Sequence, residues 1–238
     1  MARTAFQFMV TAVLPYLTVG VFVAAALYRL VLWRRLPQPG TMTLFPTDGS
    51  GVVPLAKEAL FFPSLFRGDR FLWSLAWTFH VTLVLTLIGH SRIVTTLLDR
   101  VLGVAGVGPT VVAAMSSLLG GAAGIILLVA LAGLLGRRLL VPRVREISTA
   151  PDFVALLLLT AVVASGNLMR WTAGPDELAA ARTWLTSLLS FAPTAPRSAG
   201  LVLHAFCAEL LLAYIAFSKL MHFGGFFLTF SLTKRTTP

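Results

Sequence analysis

Residues 71–97 read FLWSLAWTFHVTLVLTLIGHSRIVTTL, with Arg92 as the one formal charge. An apolar run of this length is long enough to cross a hydrocarbon core of about 30 Å as a single helix. It also carries two of the chain's four histidines, His80 and His90. Four other stretches are long and apolar enough to do the same, near 6–33, 111–136, 152–171 and 198–223. The last of these holds the remaining histidines, His204 and His222.

The composition agrees. With 57% hydrophobic residues, 12% charged residues and a mean hydropathy of +0.87, the chain is too apolar for an ordinary soluble domain. The first stretch is too long for a cleavable leader and lacks a small-residue cleavage site, so it is read as a span. The expected fold is an all-α membrane protein, a five-transmembrane-helix bundle formed as one domain over residues 1–238.

A net charge of +10 raises the question of nucleic acid. The placement of the charge answers it. Arg29, Arg34, Arg35, Lys57, Arg67, Arg70, Arg137, Arg138, Arg143, Arg145, Lys219, Lys234 and Arg235 fall on one side of the expected spans, 13 of the 19 basic residues. Arg3, Arg92, Arg100, Arg170, Arg182 and Arg197 fall on the other. By the positive-inside rule the N-terminus lies outside and the C-terminus in the cytoplasm of a multi-pass cell (inner) membrane protein. No interleaved aromatic and basic residues form a stacking platform, so no nucleic acid partner is expected.

The segment 34–70 reads as a cytoplasmic loop, turn-rich through Pro37, Pro39, Gly40, Pro46, Gly49, Gly51, Pro54 and Pro63. Its later part, Ala56 to Phe66, is expected to form a short interfacial helix. Gly103, Gly106, Gly108 and Pro109 mark a short outer turn at 99–110. In the outer loop 172–197, Asp176 and Glu177 open an alanine-rich run that reads as a surface helix.

Ionisable groups are costly in hydrocarbon and usually functional there, and the four histidines form two pairs on antiparallel spans. The span at 71–97 runs outward and the span at 198–223 inward. His90 therefore lies level with His204 near the outer face, and His80 with His222 near the cytoplasm. Two depths with two imidazoles each suit two haem irons, which need only two axial ligands apiece; a free zinc or copper ion needs three or four converging donors. The spacing fits less well. Eighteen residues between His204 and His222 make five turns, about 27 Å, whereas ten between His80 and His90 make about 15 Å with an offset near 80°. Tilted helices and inclined haem planes are one way to absorb the difference.

These residues carry a resemblance. The histidine spacings, Pro15-Tyr16, Gly89-His90, Gly120-Gly121-Ala122-Ala123-Gly124, Arg137-Arg138-Leu139 with Pro142-Arg143-Val144-Arg145, Thr149 with Asp152, and Ser218-Lys219-Leu220-Met221-His222 resemble the gamma subunit of respiratory nitrate reductases over nearly the whole chain. The resemblance implies a di-haem membrane cytochrome b of anaerobic respiration, with two haem b groups. His80 and His222 would ligate the haem nearer the cytoplasm, and His90 and His204 the other. It also implies electron transfer between the membrane quinone pool on the outer side and a cytoplasmic-side iron–sulfur subunit attached to a catalytic subunit. A second branch is similar too. Leu60-Phe61-Phe62-Pro63-Ser64-Leu65-Phe66-Arg67, with Leu72-Trp73 and Phe79-His80, resembles the membrane cytochrome b associated with dissimilatory sulfite reductase. That branch exchanges electrons with a heterodisulfide-reductase-like iron–sulfur protein and implies that the chain could reduce quinone.

The nitrate reductase subunit has lysines at the outer start of its third span, and Val111 to Ser116 contain none. Arg92 and Arg100 are the candidate donors to a quinone oxygen or haem propionate, and Gly89 offers room for a ring. Interfacial anchoring explains the arginines equally simply. Lys219, one turn before His222, is a candidate contact to an inner propionate. Glu209 is either a proton acceptor or a helix contact bonded to Asn167 or Arg170. Gly120, Gly121 and Gly124 allow close approach of a helix or a haem. The five tryptophans read as interfacial belt residues. Cys207 is alone, so the chain can hold no iron–sulfur cluster by itself.

No residue set suggests chemistry on nitrate, sulfite or another substrate, so no catalytic residue is assigned. A transporter would need charged or broken helices converging at the midplane. The remaining rival is a cofactor-free membrane anchor, which needs no intramembrane histidine.

Overall fold

The computed structural model describes residues 5–35, 52–172, 174 and 176–225. Among them every regular element is helical. The long helices are α1 (Ala5–Arg35), α4 (Arg70–Val94), α6 (Pro109–Leu140) and α8 (Ala150–Thr172), each apolar and long enough to cross a membrane. Between them lie α2 (Val52–Phe61), α3 (Pro63–Gly68), α5 (Leu97–Val104), α7 (Pro142–Glu146) and α9 (Glu177–Leu189). The chain then forms α10 (Ala199–Ile215) and α11 (Lys219–Gly225), whose axes differ by 75°; taken together as one bent span they bring the candidate spans from four to five.

Local chemistry explains the helix ends and irregularities. Asp69 caps α4 by accepting the Leu72 N–H at 2.8 Å, and Ser198 caps α10 through Leu201. Pro109 and Pro142 occupy first turns, where a missing N–H costs nothing. Pro15 stands inside α1 and cannot bond the Thr11 carbonyl. A π-helical segment, Met9–Val13, precedes it, and the Trp184 indole donates to the freed carbonyl at 3.0 Å.

The helices pack in the order α4, α6, α8, α10, α1. Phe79, Leu127, Ala130 and Leu131 form the core between α4, α6 and α8, with Leu156, Leu159 and Val163 against them. Val10, Val202 and Ala205, with Leu14, Trp184 and Phe206, join α1, α9 and α10. Leu17, Val84, Leu118, Val129 and Leu157 stay exposed on the outer faces of the long helices. In water such surface would be a liability; it is the surface a bilayer solvates.

The glycines of α6 are seats for α8. A Cβ at Gly124 would strike the Asn167 amide, which donates to the Gly124 carbonyl at 3.0 Å, and a Cβ at Gly120 would meet the Arg170 guanidinium. This favours helix packing, rather than haem approach, as the reason for those glycines.

Several expectations change in detail. The segment around Ala56 to Phe66 is two helices broken at Phe62, because the residue before a proline resists the right-handed helical region. The outer turn at 99–110 contains α5. The expected surface helix is α9. The loop residues 36–51 and the C-terminal 226–238 lie outside the described residues.

The largest correction concerns the span at 198–223. It is not one straight helix, so His204 and His222 do not lie five turns apart on a common axis. The run has no proline or glycine at the break; tertiary contacts make it. Ser218, 5% exposed, accepts from the Leu220 N–H, and its carbonyl accepts from Arg29 of α1 at 3.1 Å. Lys219 then reaches Asp152 of α8 at 2.8 and 3.1 Å.

Candidate functional site

One end of the bundle is basic. The last turn of α1 carries Arg34 and Arg35, that of α6 carries Arg137 and Arg138, and Arg137 pairs with Asp69 at the start of α4 at 2.7 Å. His80, nearer the start of α4, lies toward this basic end with His222. His90 lies toward the opposite end with His204.

The bend of the fifth span brings each pair together. Its ring centroids place His80 6.1 Å from His222, and His90 6.0 Å from His204. Because α11 turns away from the axis of α10, the eighteen-residue interval between His204 and His222 comes into register with the ten-residue interval on α4. Helices α4 and α10 themselves are not packed against each other along their length. The pairs face across the space between them.

Each imidazole is held by the same nitrogen. Nδ1 of His80 donates to the Ala76 carbonyl at 2.7 Å, that of His90 to Thr86 at 2.8 Å, and that of His222 to Lys219 at 3.0 Å. A carbonyl can only accept, so the proton is on Nδ1 and the lone pair of the neutral ring is on Nε2. Nδ1 of His204 lies 3.2 Å from the Ser165 hydroxyl, which donates onward to the Val162 carbonyl. Gly166 beside it leaves 3.1 Å between a would-be Cβ and the His204 ring, so this small residue lets α8 pass close. A fixed Nδ1–H with a free Nε2 is the usual preparation of a metal-ligating histidine.

The donor set suits an iron already held in a macrocycle. Two imidazoles bonded at about 2 Å on opposite sides of one metal have their centroids roughly 6 Å apart. Among the described residues no three His, Cys, Asp or Glu side chains converge to hold a free ion. Ring planes differ between the pairs, 85° for His80 and His222 but 36° for His90 and His204.

The other expected site residues are placed as follows. Lys219 holds Asp152, whose carboxylate also takes the Thr149 N–H and hydroxyl at 2.9 Å and lies 3.9 Å from Arg138. Its side chain thus anchors the turn that carries His222. Arg92 donates to Asp99 at 2.7 Å, and Arg182 of α9 bridges the Arg92 carbonyl and the same aspartate. Arg100 is exposed. Gly89 has no atom within 4 Å of a built Cβ, leaving open space beside His90. Glu209 does not bond Asn167 or Arg170, which are engaged with Gly124 and Ser116 of α6. It is buried, and its carboxylate oxygens have no partner among the described residues.

The tryptophans do more than line an interface. Trp73 and Trp77, one turn apart on α4, donate to the carbonyls of Phe61 at 2.7 Å and Leu60 at 3.0 Å. These are the last carbonyls of α2, which the helix cannot satisfy itself. Phe62 follows at φ 49° and ψ 48°, a left-handed conformation costing roughly 1–2 kcal/mol for an L-residue. Its ring stands edge-on to His80 at 5.1 Å, and Phe79 does the same at 5.0 Å. From the sequence alone Phe62 has no role of its own. The spacing Trp73, Trp77, His80, which puts all three on one helix face, was the available signal.

Fold and site together define a multi-pass helical membrane protein with histidines paired at two levels. Comparison with known proteins gives it a family. The chain belongs to the nitrate reductase gamma subunit family, whose model matches residues 64–236. It is 30% identical to the Hdr-like menaquinol oxidoreductase cytochrome b-like subunit of Archaeoglobus profundus, over 89% of this chain and 74% of that protein. It is 31% identical to the subunit of the same description from Archaeoglobus fulgidus, over 90% of this chain and 76% of that protein.

Proposed function

We propose that this chain is the di-haem b membrane subunit of a quinol-oxidising respiratory complex, with its basic end and C-terminus in the cytoplasm and its N-terminus outside. The observation that carries the reading is the two pairs of facing imidazoles, at 6.1 and 6.0 Å, each ring with Nδ1 held and Nε2 free. His80 and His222 would hold the inner haem, and His90 and His204 the outer one. A haem b so held takes up and gives back one electron at a time.

The chain's own residues supply the rest. Gly89 leaves room for a quinol ring beside the outer pair, and Arg92, kept in place by Asp99 and Arg182, presents positive charge there. Oxidation of one quinol yields two electrons and two protons; the protons leave on the outer side and the electrons go to a cytoplasmic-side iron–sulfur partner. Each charge crossing the membrane is worth about 2.3 kcal/mol per 100 mV, so this placement makes the reaction electrogenic. With Cys207 as its sole cysteine the chain holds no cluster of its own, and the partner must bring one.

The relatives are named Hdr-like menaquinol oxidoreductase subunits, which favours menaquinol as donor and a heterodisulfide-reductase-like iron–sulfur protein as partner. Quinol-dependent reduction of the purified protein tests this. His90→Ala or His204→Ala should abolish rapid reduction by a menaquinol analogue while dithionite still reduces the inner haem. Unchanged quinol-driven reduction in both variants would remove the outer pair from the account.

A further inference from the structure

The basic-end pair differs from the other in what surrounds it: two phenyl rings, Phe79 from its own helix and Phe62 from outside it, stand against His80. Helices α2 and α3 form a strap across the start of α4. It is fixed by the Trp73 and Trp77 indoles on the carbonyls of Phe61 and Leu60, by the Glu58 carboxylate accepting the Ser64 N–H at 3.3 Å, and by Phe66 standing edge-on to Trp73 at 4.9 Å. These contacts converge on the one residue between the helices, which they hold at positive φ. Its ring lies against His80 and against no other histidine.

We propose that Phe62 is a positioning residue that fixes the His80 imidazole across the plane of His222 and shields the inner site from water. His80 is gripped from three directions: Phe62 from the strap, Phe79 from its own helix, and the Ala76 carbonyl at Nδ1. Two phenyl rings at about 5 Å and a hydrogen bond at Nδ1 oppose rotation of the ring toward coplanarity with His222, which stands at 85° to it. His204, by contrast, is held through the Ser165 hydroxyl and lies within 36° of His90. Axial imidazoles at right angles leave the two iron orbitals that bond with them nearly equal in energy, and coplanar ones split them. The inner site should therefore give the more anisotropic low-spin ferric resonance. An apolar ring that keeps water away also favours the less charged ferrous state, through the burial lever on haem potential.

The proposal rests on ligation of the inner haem by His80 and His222, and the test separates the two. Phe62→Gly removes the ring yet accepts the left-handed backbone without strain, so the strap keeps its path. Phe62→Leu serves as a second variant that retains bulk without an aromatic edge. Redox titration followed by electron paramagnetic resonance on the full-length protein should show, for Phe62→Gly, loss of the most anisotropic signal in favour of a less anisotropic one and a lower midpoint potential for that haem, with the second haem unmoved. Phe62→Leu should restore the potential in part and the anisotropy least. The exposed neighbour gives a control, Phe61→Leu, which should change neither. Wild-type-like signals and potentials in both Phe62 variants would overturn the positioning role. Absence of any inner signal from the wild-type protein would overturn the ligation it rests on.

Discussion

The backbone carbonyl of Lys219 accepts the Nδ1–H of His222 at 3.0 Å, so the residue that anchors the bend of the fifth span also orients the imidazole that the bend presents. Its ammonium, meanwhile, holds Asp152 of α8 at 2.8 Å. Position of the histidine, and not stability, is what this ion pair secures. The Lys219 side chain is 74% exposed, so its own loss costs little, whereas the Asp152 carboxylate it meets is 5% exposed and also accepts from Thr149.

Lys219→Met leaves Asp152 with Thr149 and Arg138, so the protein should stay folded and the inner haem should weaken selectively. Loss of an outer support of a ligand typically lowers affinity about 10- to 100-fold. Haem content and the inner-haem signal after detergent purification are the readouts. Equal loss of both haems would indicate general unfolding and contradict the assignment of this pair to the turn.

At the opposite end, Ser165→Ala removes the partner of the His204 Nδ1. Affinity for the outer haem should fall within the same range of about 10- to 100-fold, and that for the inner one should not. Spectral titration of the two haems resolves the two cases.

Two glycines of α6 should respond in opposite directions to the same change. Gly124→Ala drives a methyl into the Asn167 amide and breaks its bond to the Gly124 carbonyl, at a cost of roughly 1–3 kcal/mol. Gly136→Ala meets open space and gains up to about 1 kcal/mol from helix propensity. Thermal unfolding in one detergent compares them directly.

The Leu72 N–H, and behind it Arg137, holds the Asp69 carboxyl below its ordinary value. A depressed carboxylate supports the fold above its unfolded value, near pH 4, and the support is lost as pH falls through the lower folded one. Amide exchange at the start of α4 should accelerate in that acid range in the wild type. In Asp69→Asn, where no carboxylate titrates, exchange should already be faster at neutral pH and change little on acidification.

Much of this was legible in the residues. Spans appear as long apolar runs, and the pairing of His80 with His222 and His90 with His204 follows from opposite chain directions. The bend at Ser218 was not legible, because it depends on Arg29 and Asp152, far away in sequence, and no local breaker marks it. For the same reason Gly120 and Gly124 read as well for a haem as for the side chains of Arg170 and Asn167 that fill them. Phe62 was hidden by its type: a left-handed phenylalanine is unexpected until two tryptophans are seen to cap the helix before it.

The central claim is two haem b groups on four histidines. Pyridine haemochrome and reduced-minus-oxidised spectra on the purified, folded chain, expressed with haem available, measure it directly. The account predicts two b-type haems per chain, falling to one when His90 or His204 is replaced by alanine. A folded chain with no haem, or one whose spectrum ignores all four histidines, would contradict it and leave a membrane anchor.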